Sequence, residues 1–279
     1  RLFLVMLIGL FPCIVFAGHL YAAERTYNVL FIQSYNHRTP WNDRLTEGVR
    51  DGLSRGGIKA KVTTGYLDAD YWTFASECVI MRRICERARQ KNTDIIITSS
   101  DEAFYTLMHC GDSLPYKLPV VISGIKYPNE KLISKLPNVC GYTSKIDFVH
   151  LLENARRVFP NRTEVICVSD SSLLGLKGVA ELERIWPNFQ ELHPEYKMKV
   201  MNVQSQAPNP VISSICYDYN AYNRIVIAPK WTPFLSFIGK NSKAPVFAGQ
   251  SLALTNGVFC VHDMEPYEGA NAAGKCAAQ

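Results

Sequence analysis

The sequence lacks the short motifs that mark common chemistry. No GxGxxG follows the first strand-like run, GxxxxGK[ST] and HExxH do not occur, and no GxSxG stands at a strand-to-helix elbow. A dinucleotide-binding turn, a P-loop, a zinc-protease helix and a nucleophile elbow are therefore excluded in their usual forms. Two cysteines are never spaced CxxC, which removes the commonest thiol-redox and zinc-ribbon frames. Charge is sparse, at 20% Asp, Glu, Lys and Arg, and the net +5 is spread along the chain. Only ICERARQK and NARRVFPNR are locally basic, and each reads as a solvated helix face or end, so no nucleic-acid partner is expected. Gly and Pro stay near ordinary levels while 47% of residues are hydrophobic, which excludes disorder and low complexity.

Histidine is scarce and scattered. His37, His109, His150, His193 and His262 fall in different segments, whereas a metal needs several ligands at one point. Cys260, His262 and Asp263 form the only compact group, in CVHD. A strand sends successive side chains to opposite faces, so these three cannot all reach one ion. Neither a metal nor another cofactor is expected.

What the chain does carry begins with an almost wholly apolar run, Leu2 to Ala17, followed by small residues at Ala22 and Ala23. This reads as an export signal over 1–23, short for a membrane span, with an uncleaved anchor as the alternative. Pro12 before Cys13 makes a poor lipid-attachment site. The remaining length, roughly 255 residues, suits one large α/β domain or two lobes. Eight cysteines follow the signal: Cys78, Cys85, Cys110, Cys140, Cys167, Cys216, Cys260 and Cys276. In an oxidising compartment some could pair, but a domain of this size needs no staples, and mostly buried thiols are the simpler reading.

Strand and helix patterns then alternate: YNVLFIQ, a helix in NDRLTEGVRDGLSR, KAKVTTGYLD, a helix from about Trp72 to Gln90, TDIIITS, a short helix in SDEAFYTLM, and LPVVISG. This is repeated βα architecture with parallel strands. The segment Lys126 to Gly141, with Pro128 and Pro137, breaks the rhythm and is read as the crossing between lobes. The pattern resumes with a helix from about Asp147 to Val158, TEVICVSD, a helix from Leu173 to about Ile185, YKMKVMNV, a helix around Pro210 to Tyr217, NRIVIA and APVFAG. A short strand in GVFCV and a small-residue helix close the sequence. The boundaries that follow are 24–142 for an N-terminal lobe, 143–256 for a C-terminal lobe and 257–279 for a return segment with a final helix that ends uncapped, as in the front part of a longer gene product.

Parallel α/β sheets hold ligands at the carboxyl ends of their strands. The corner SYNHRTPW after the first strand is the most informative of these ends, and Ser34, Tyr35 and Trp41 are its candidate contacts. Ser99, Ser100 and Asp101 follow the third strand, and Gly124 and Ile125 the fourth. The second half offers Asp170 and Ser171, then Lys230 and Trp231, and finally Gln250. Aromatic walls with a few directed polar groups describe a small-molecule cleft. The plainer alternative is that the aromatics plug the core. Likewise Ser171, Ser172 and Gly175 read either as an anion-holding helix start or as a capped helix whose glycines permit close packing.

In order and spacing, VLFIQSYNHRTPWNDRLTEGVRDGL, TDIIITSSDEAFYTL, LPVVISGI, NVCGYTSKID, LENARRVFPNRTEVICVSDSSLLG and GANAAGKCA resemble the ABC-transporter substrate-binding-like family of periplasmic proteins. The resemblance spans Asn28 to Ala278. It implies a type I periplasmic-binding-protein-like fold: two Rossmann-like three-layer α/β lobes with parallel sheets, a multistranded hinge, and a small organic ligand held between lobes that close on it. Carried onto this chain, Ser34 and Tyr35 match the first-strand binding loop, Ser100 and Asp101 the third-strand loop, Gly124 the fourth, and Asp170 with Ser171 the first loop of the second lobe.

QSYNHRTPWND is more similar to the SYxxxxPW pattern of histidine-kinase sensor regions than to the His-Pro motif of transporter members. The expectation is therefore an extracytoplasmic sensor domain, tethered to the membrane and continuing in a full-length protein to dimerising, cytoplasmic signalling domains. A solute-binding component serving an ABC permease is the alternative, and an exported α/β enzyme is another. The expected ligand is amino-acid-like or aromatic, since Tyr35, Trp41 and Trp231 permit stacking while Ser100, Asp101 and Lys230 address an amine and a carboxylate.

Overall fold

A computed structural model describes residues 25–36, 40–69, 74–203, 213–229, 233–249, 257–261 and 266–279. The apolar run over 1–23 lies outside them. Among the described residues, no helix is long and apolar enough to cross a membrane.

The first lobe is built on a five-stranded parallel sheet of order β2-β1-β3-β4-β5. Its strands are β1 (Tyr27–Gln33), β2 (Ala60–Tyr66), β3 (Ile95–Ser99), β4 (Val120–Ile125) and β5 (Val139–Thr143). The unbroken apolar character of β1 and β3 is explained by cover on both faces. On one face α2 (Phe74–Gln90) and α3 (Ser100–Cys110) bury Met81, Ile84, Phe104 and Leu107. The other face is covered by α1 (Pro40–Arg55) through Leu45, Val49 and Leu53. Short helices α4 (Leu114–Lys117) and α5 (Glu130–Ile133) flank β4.

The second lobe repeats this plan. Its sheet runs β10-β9-β8-β6-β7, from β6 (Glu164–Ser169), β7 (Lys197–Asn202), β8 (Arg224–Ala228), β9 (Val246–Ala248) and β10 (Cys260–Val261). One face packs on α6 (Phe148–Val158) and α7 (Leu173–Leu192), and the other on Ile215, Cys216 and Ile238, the last from α8 (Pro233–Asn241). Read from its first strand, each sheet has the order 2-1-3-4-5, so the lobes are topological copies.

Two expectations are corrected. The segment Lys126 to Gly141 is not the crossing: it forms α5 and β5, because Leu132, Ile133, Leu136 and Val139 pack onto the first lobe's core. The chain leaves that lobe at residues 144–147 instead. Helix α7 does not stop near Ile185 but runs through Pro187 to Leu192. A proline inside a helix costs roughly 3 kcal/mol, and here Trp186 and Phe189 offset it by entering the second core, Phe189 edge-on to Tyr196.

The last helix, α9 (Pro266–Ala277), lies back on the first lobe against α1. The two backbones touch. A Cβ on Gly52 would sit 2.3 Å from the Asn271 carbonyl, and one on Gly274 2.5 Å from the Val49 carbonyl. Buried Asn271 donates to the Gly48 carbonyl at 3.4 Å, and the Tyr267 hydroxyl donates to Asp51 at 2.6 Å. A disulfide, Cys78–Cys110, ties α2 to α3, while Cys85, Cys167 and Cys216 are buried free thiols. Gly to Ala in a helix ordinarily stabilises by about 1 kcal/mol. At Gly52 the sign is expected to reverse, with Gly52→Ala destabilising by about 2 kcal/mol or more through overpacking, as read from urea denaturation midpoints.

Candidate functional site

In each sheet the strand order reverses beside the first strand, so β1 and β3 in one lobe, and β6 and β8 in the other, open a crevice at their carboxyl ends. The two crevices face each other. Three successive strand ends of the first lobe carry a left-handed residue: Asp68 (φ 53°) beyond β2, Ser100 (φ 72°) after β3 and Gly124 (φ 71°) within β4. Glycine adopts this conformation freely, whereas for Ser and Asp it is strained, and such strain concentrates where a backbone must present itself to a ligand. The Asp68 Oδ1 is buried without a hydrogen-bond partner.

Among the described residues, most of the polar side chains that the sequence singles out turn inward. The Ser34 hydroxyl donates to the Ser99 carbonyl at 2.7 Å and accepts the Ala103 N–H at 2.9 Å, locking β1 to the start of α3. Asp101 is fully buried, and its carboxylate accepts the N–H groups of Lys126 at 2.8 Å and Tyr127 at 2.9 Å. Burial pushes its carboxyl up; those two amides and the Lys126 charge oppose the shift. Asp170 caps its own corner, accepting from the Ser172 N–H at 3.0 Å and from the Ser172 hydroxyl. Ser172 in turn accepts the Gly175 N–H at 3.2 Å, so this helix start has the capped, close-packed form. Ser99 is buried, and Ile125 belongs to the first lobe's core. Trp41 packs on the α1–α9 core. Ser100 and Gly124 remain partly exposed, and Ser171 is exposed and accepts from Asn202 at 3.2 Å. Lys230, Trp231 and Gln250, with His37, His262 and Asp263, lie outside the described residues. Among those described, no group of His, Cys, Asp and Glu is disposed to hold a metal.

The lobes meet where Leu174 of α7 packs on Tyr35 and Ala69, with Tyr127 alongside. Gly178 allows close approach, since a Cβ there would lie 2.9 Å from the Tyr127 hydroxyl and 2.2 Å from Pro229. Beside this contact runs a groove of about 1180 Å³. Tyr105, Lys126 and Tyr127 line it from the first lobe, Lys145 and Ile146 from the crossing, and Lys177 and Arg184 from α7. The Tyr105 hydroxyl donates to the Tyr127 carbonyl and accepts the Asn129 N–H, each at 2.8 Å, and burial pushes it up to about 12. Burial also raises Tyr127, reinforced by the charge of Asp101, so both phenols stay neutral donors at physiological pH. Lys126 and Tyr127 do not stand out in the sequence because Lys126 to Gly141 reads there as the crossing between lobes. The signal was KYP directly after a strand, a cation and an aromatic at a strand's carboxyl end.

No protein-family model matches the sequence, and comparison with curated proteins likewise gives no match. Solved structures do match. A conserved domain protein from Vibrio cholerae superposes with a TM-score of 0.65 at 15% identity, over 91% of this chain and 83% of that one. An open, ligand-free substrate binding protein with adhesive properties from Clostridium difficile gives 0.60 at 14%, over 90% and 83%. A leucine binding protein from Thermotoga maritima gives 0.57 at 13%, over 83% and 66%. The chain thus has the two-lobed, parallel-sheet architecture of type I periplasmic binding proteins.

Because Asp101 holds two amides with no ligand involved, Asp101→Ala is expected to lower the stability of the ligand-free protein by about 2–4 kcal/mol, leaving two buried donors unmet. Urea denaturation checks this. Ser100→Gly, which removes the strain, is expected to raise stability by up to about 1 kcal/mol in the same assay.

Proposed function

We propose that this chain is an extracytoplasmic ligand-binding module that takes a small organic molecule between its lobes and closes on it. The observation that carries this reading is the groove of about 1180 Å³ walled by both lobes and by the crossing segment, beside strand ends whose backbone is held left-handed. A molecule touching both walls favours the closed form over the open one, and only such a difference in affinity can shift that equilibrium. The aromatic faces of Tyr105 and Tyr127 with the ammonium groups of Lys126 and Lys177 suit an apolar or aromatic body bearing a carboxylate, as in an amino-acid-like compound, while Lys145 is paired with Glu130 on the same wall.

Delivery of that ligand to an ABC permease is the better supported of two roles, since a substrate binding protein and a leucine binding protein share the fold. The sensor role rests on the SYNHRTPW corner. A sensor would use the same closure as a signal to domains across a membrane. Turnover through Asp101 fits poorly, because both carboxylate oxygens already accept backbone amides.

Mass spectrometry of small molecules released from the purified protein, followed by calorimetry with whatever is found, tests binding directly. A stoichiometric carboxylate-bearing ligand is the expected result, and an empty cleft across a metabolite screen overturns it. Loss of cellular uptake on deleting the gene selects the delivery role, whereas unchanged uptake with lost ligand-dependent transcription selects the sensor. Leu174→Ala removes roughly 2 kcal/mol of apolar burial between the lobes. It is expected to weaken ligand binding by roughly 10- to 30-fold and to enlarge the radius of gyration of the ligand-bound protein in solution scattering.

A further inference from the structure

The pair of cysteines joining the last helix to the first lobe has no part in the cleft. Cys140 lies on β5, the edge strand of the first sheet, and is exposed. Cys276 lies in the final turn of α9, partly buried against the α1–α9 core. Their Sγ atoms are 3.1 Å apart although the residues are 136 positions apart in sequence. That separation is shorter than an ordinary contact between sulfurs and about 1 Å longer than a disulfide. Helix α9 is therefore held on one flank by the glycines of α1 and meets β5 on the other flank through these two thiols.

We propose that Cys140 and Cys276 form a second disulfide, a redox-dependent clasp that fastens the returning helix to the first lobe. The span from 140 to 276 contains the whole second sheet and both passages of the chain between lobes. The bond would make the second lobe a closed loop hung from one point of the first. Because both anchors belong to the first lobe, the clasp leaves the lobes free to open and close. It also opposes detachment of α9, the element whose loss would leave the second lobe attached by residues 144–147 alone.

With glutathione disulfide as oxidant, one cysteine thiolate attacks a sulfur of the reagent and releases one glutathione thiolate, leaving a mixed disulfide. The second cysteine thiolate then attacks the protein-side sulfur and releases the other glutathione. The two cysteines lose two electrons and two protons, and glutathione disulfide becomes two thiols. Burial and the neighbouring Cys276 thiol raise Cys140 to about 11, so exchange is run in mildly alkaline buffer, where more thiolate is present.

The test is peptide mapping of the full chain after equilibration with glutathione disulfide, with free thiols alkylated before digestion. The expected result is a Cys140 peptide linked to a Cys276 peptide, alongside the Cys78–Cys110 link. Recovery of Cys140 and Cys276 as alkylated thiols, or either one joined elsewhere, overturns the proposal, and this readout needs no variant. In addition, the oxidised protein is expected to melt roughly 5–10 °C above the Cys140→Ser, Cys276→Ser double variant, with the gap closing when both are fully reduced. Equal melting of the two oxidised proteins overturns the clasp.

Discussion

The contact between the backbones of α1 and α9 is the constraint on which the rest of the architecture depends. Without it the second lobe would hang from the first by one strand of chain, and the cleft would have no fixed geometry. Gly52 and Gly274 make it: their missing side chains let carbonyls of the facing helix approach where a Cβ would collide. Each glycine within a helix costs about 1 kcal/mol in propensity. Burial of Leu45, Val49, Leu53, Ala270 and Ala273 in the same layer offsets that cost, so the helices gain as a pair what each lacks alone.

A second economy governs the strand ends. Parallel strands finish with polar residues because the carboxyl edge of the sheet is where backbone groups run out of partners. Ser34, Asp101 and Asp170 meet that need: Ser34 and Asp101 accept main-chain amides of a neighbouring corner, and Asp170 accepts one of its own. Held by those bonds, the next residues outward, Ser100, Gly124, Lys126 and Tyr127, keep fixed positions. The cleft is thus two shells deep. Its buried groups determine the backbone path, and the residues beyond them place phenols and ammonium groups along the groove.

Little apolar surface joins the lobes. Among the described residues, an apolar contact between them gathers Leu174 with Tyr35, Ala69 and Tyr127, next to the glycine gap at Gly178. An interface of that size is worth a few kcal/mol at most, comparable to what a small ligand can contribute by touching both walls. The proposed closure needs two states of similar free energy, and a contact of that size permits them.

The sequence by itself determined the α/β class, the parallel strands and the restart of the pattern in the second half. Those follow from local physics: unbroken apolar runs of strand length, amphipathic helices between them, and caps such as Asp147 and Ser172. It also located the strand ends, because polar residues after apolar runs mark them. Which way each side chain turns at those corners was decided only by the tertiary structure. Asp101 and a ligand-facing aspartate look alike in sequence, since the amides of Lys126 and Tyr127 that occupy it come from another strand. The extension of α7 through Pro187 and the meeting of Cys140 with Cys276 were equally illegible. Each depends on contacts between residues far apart in the chain, and no local pattern encodes the free energy those contacts supply.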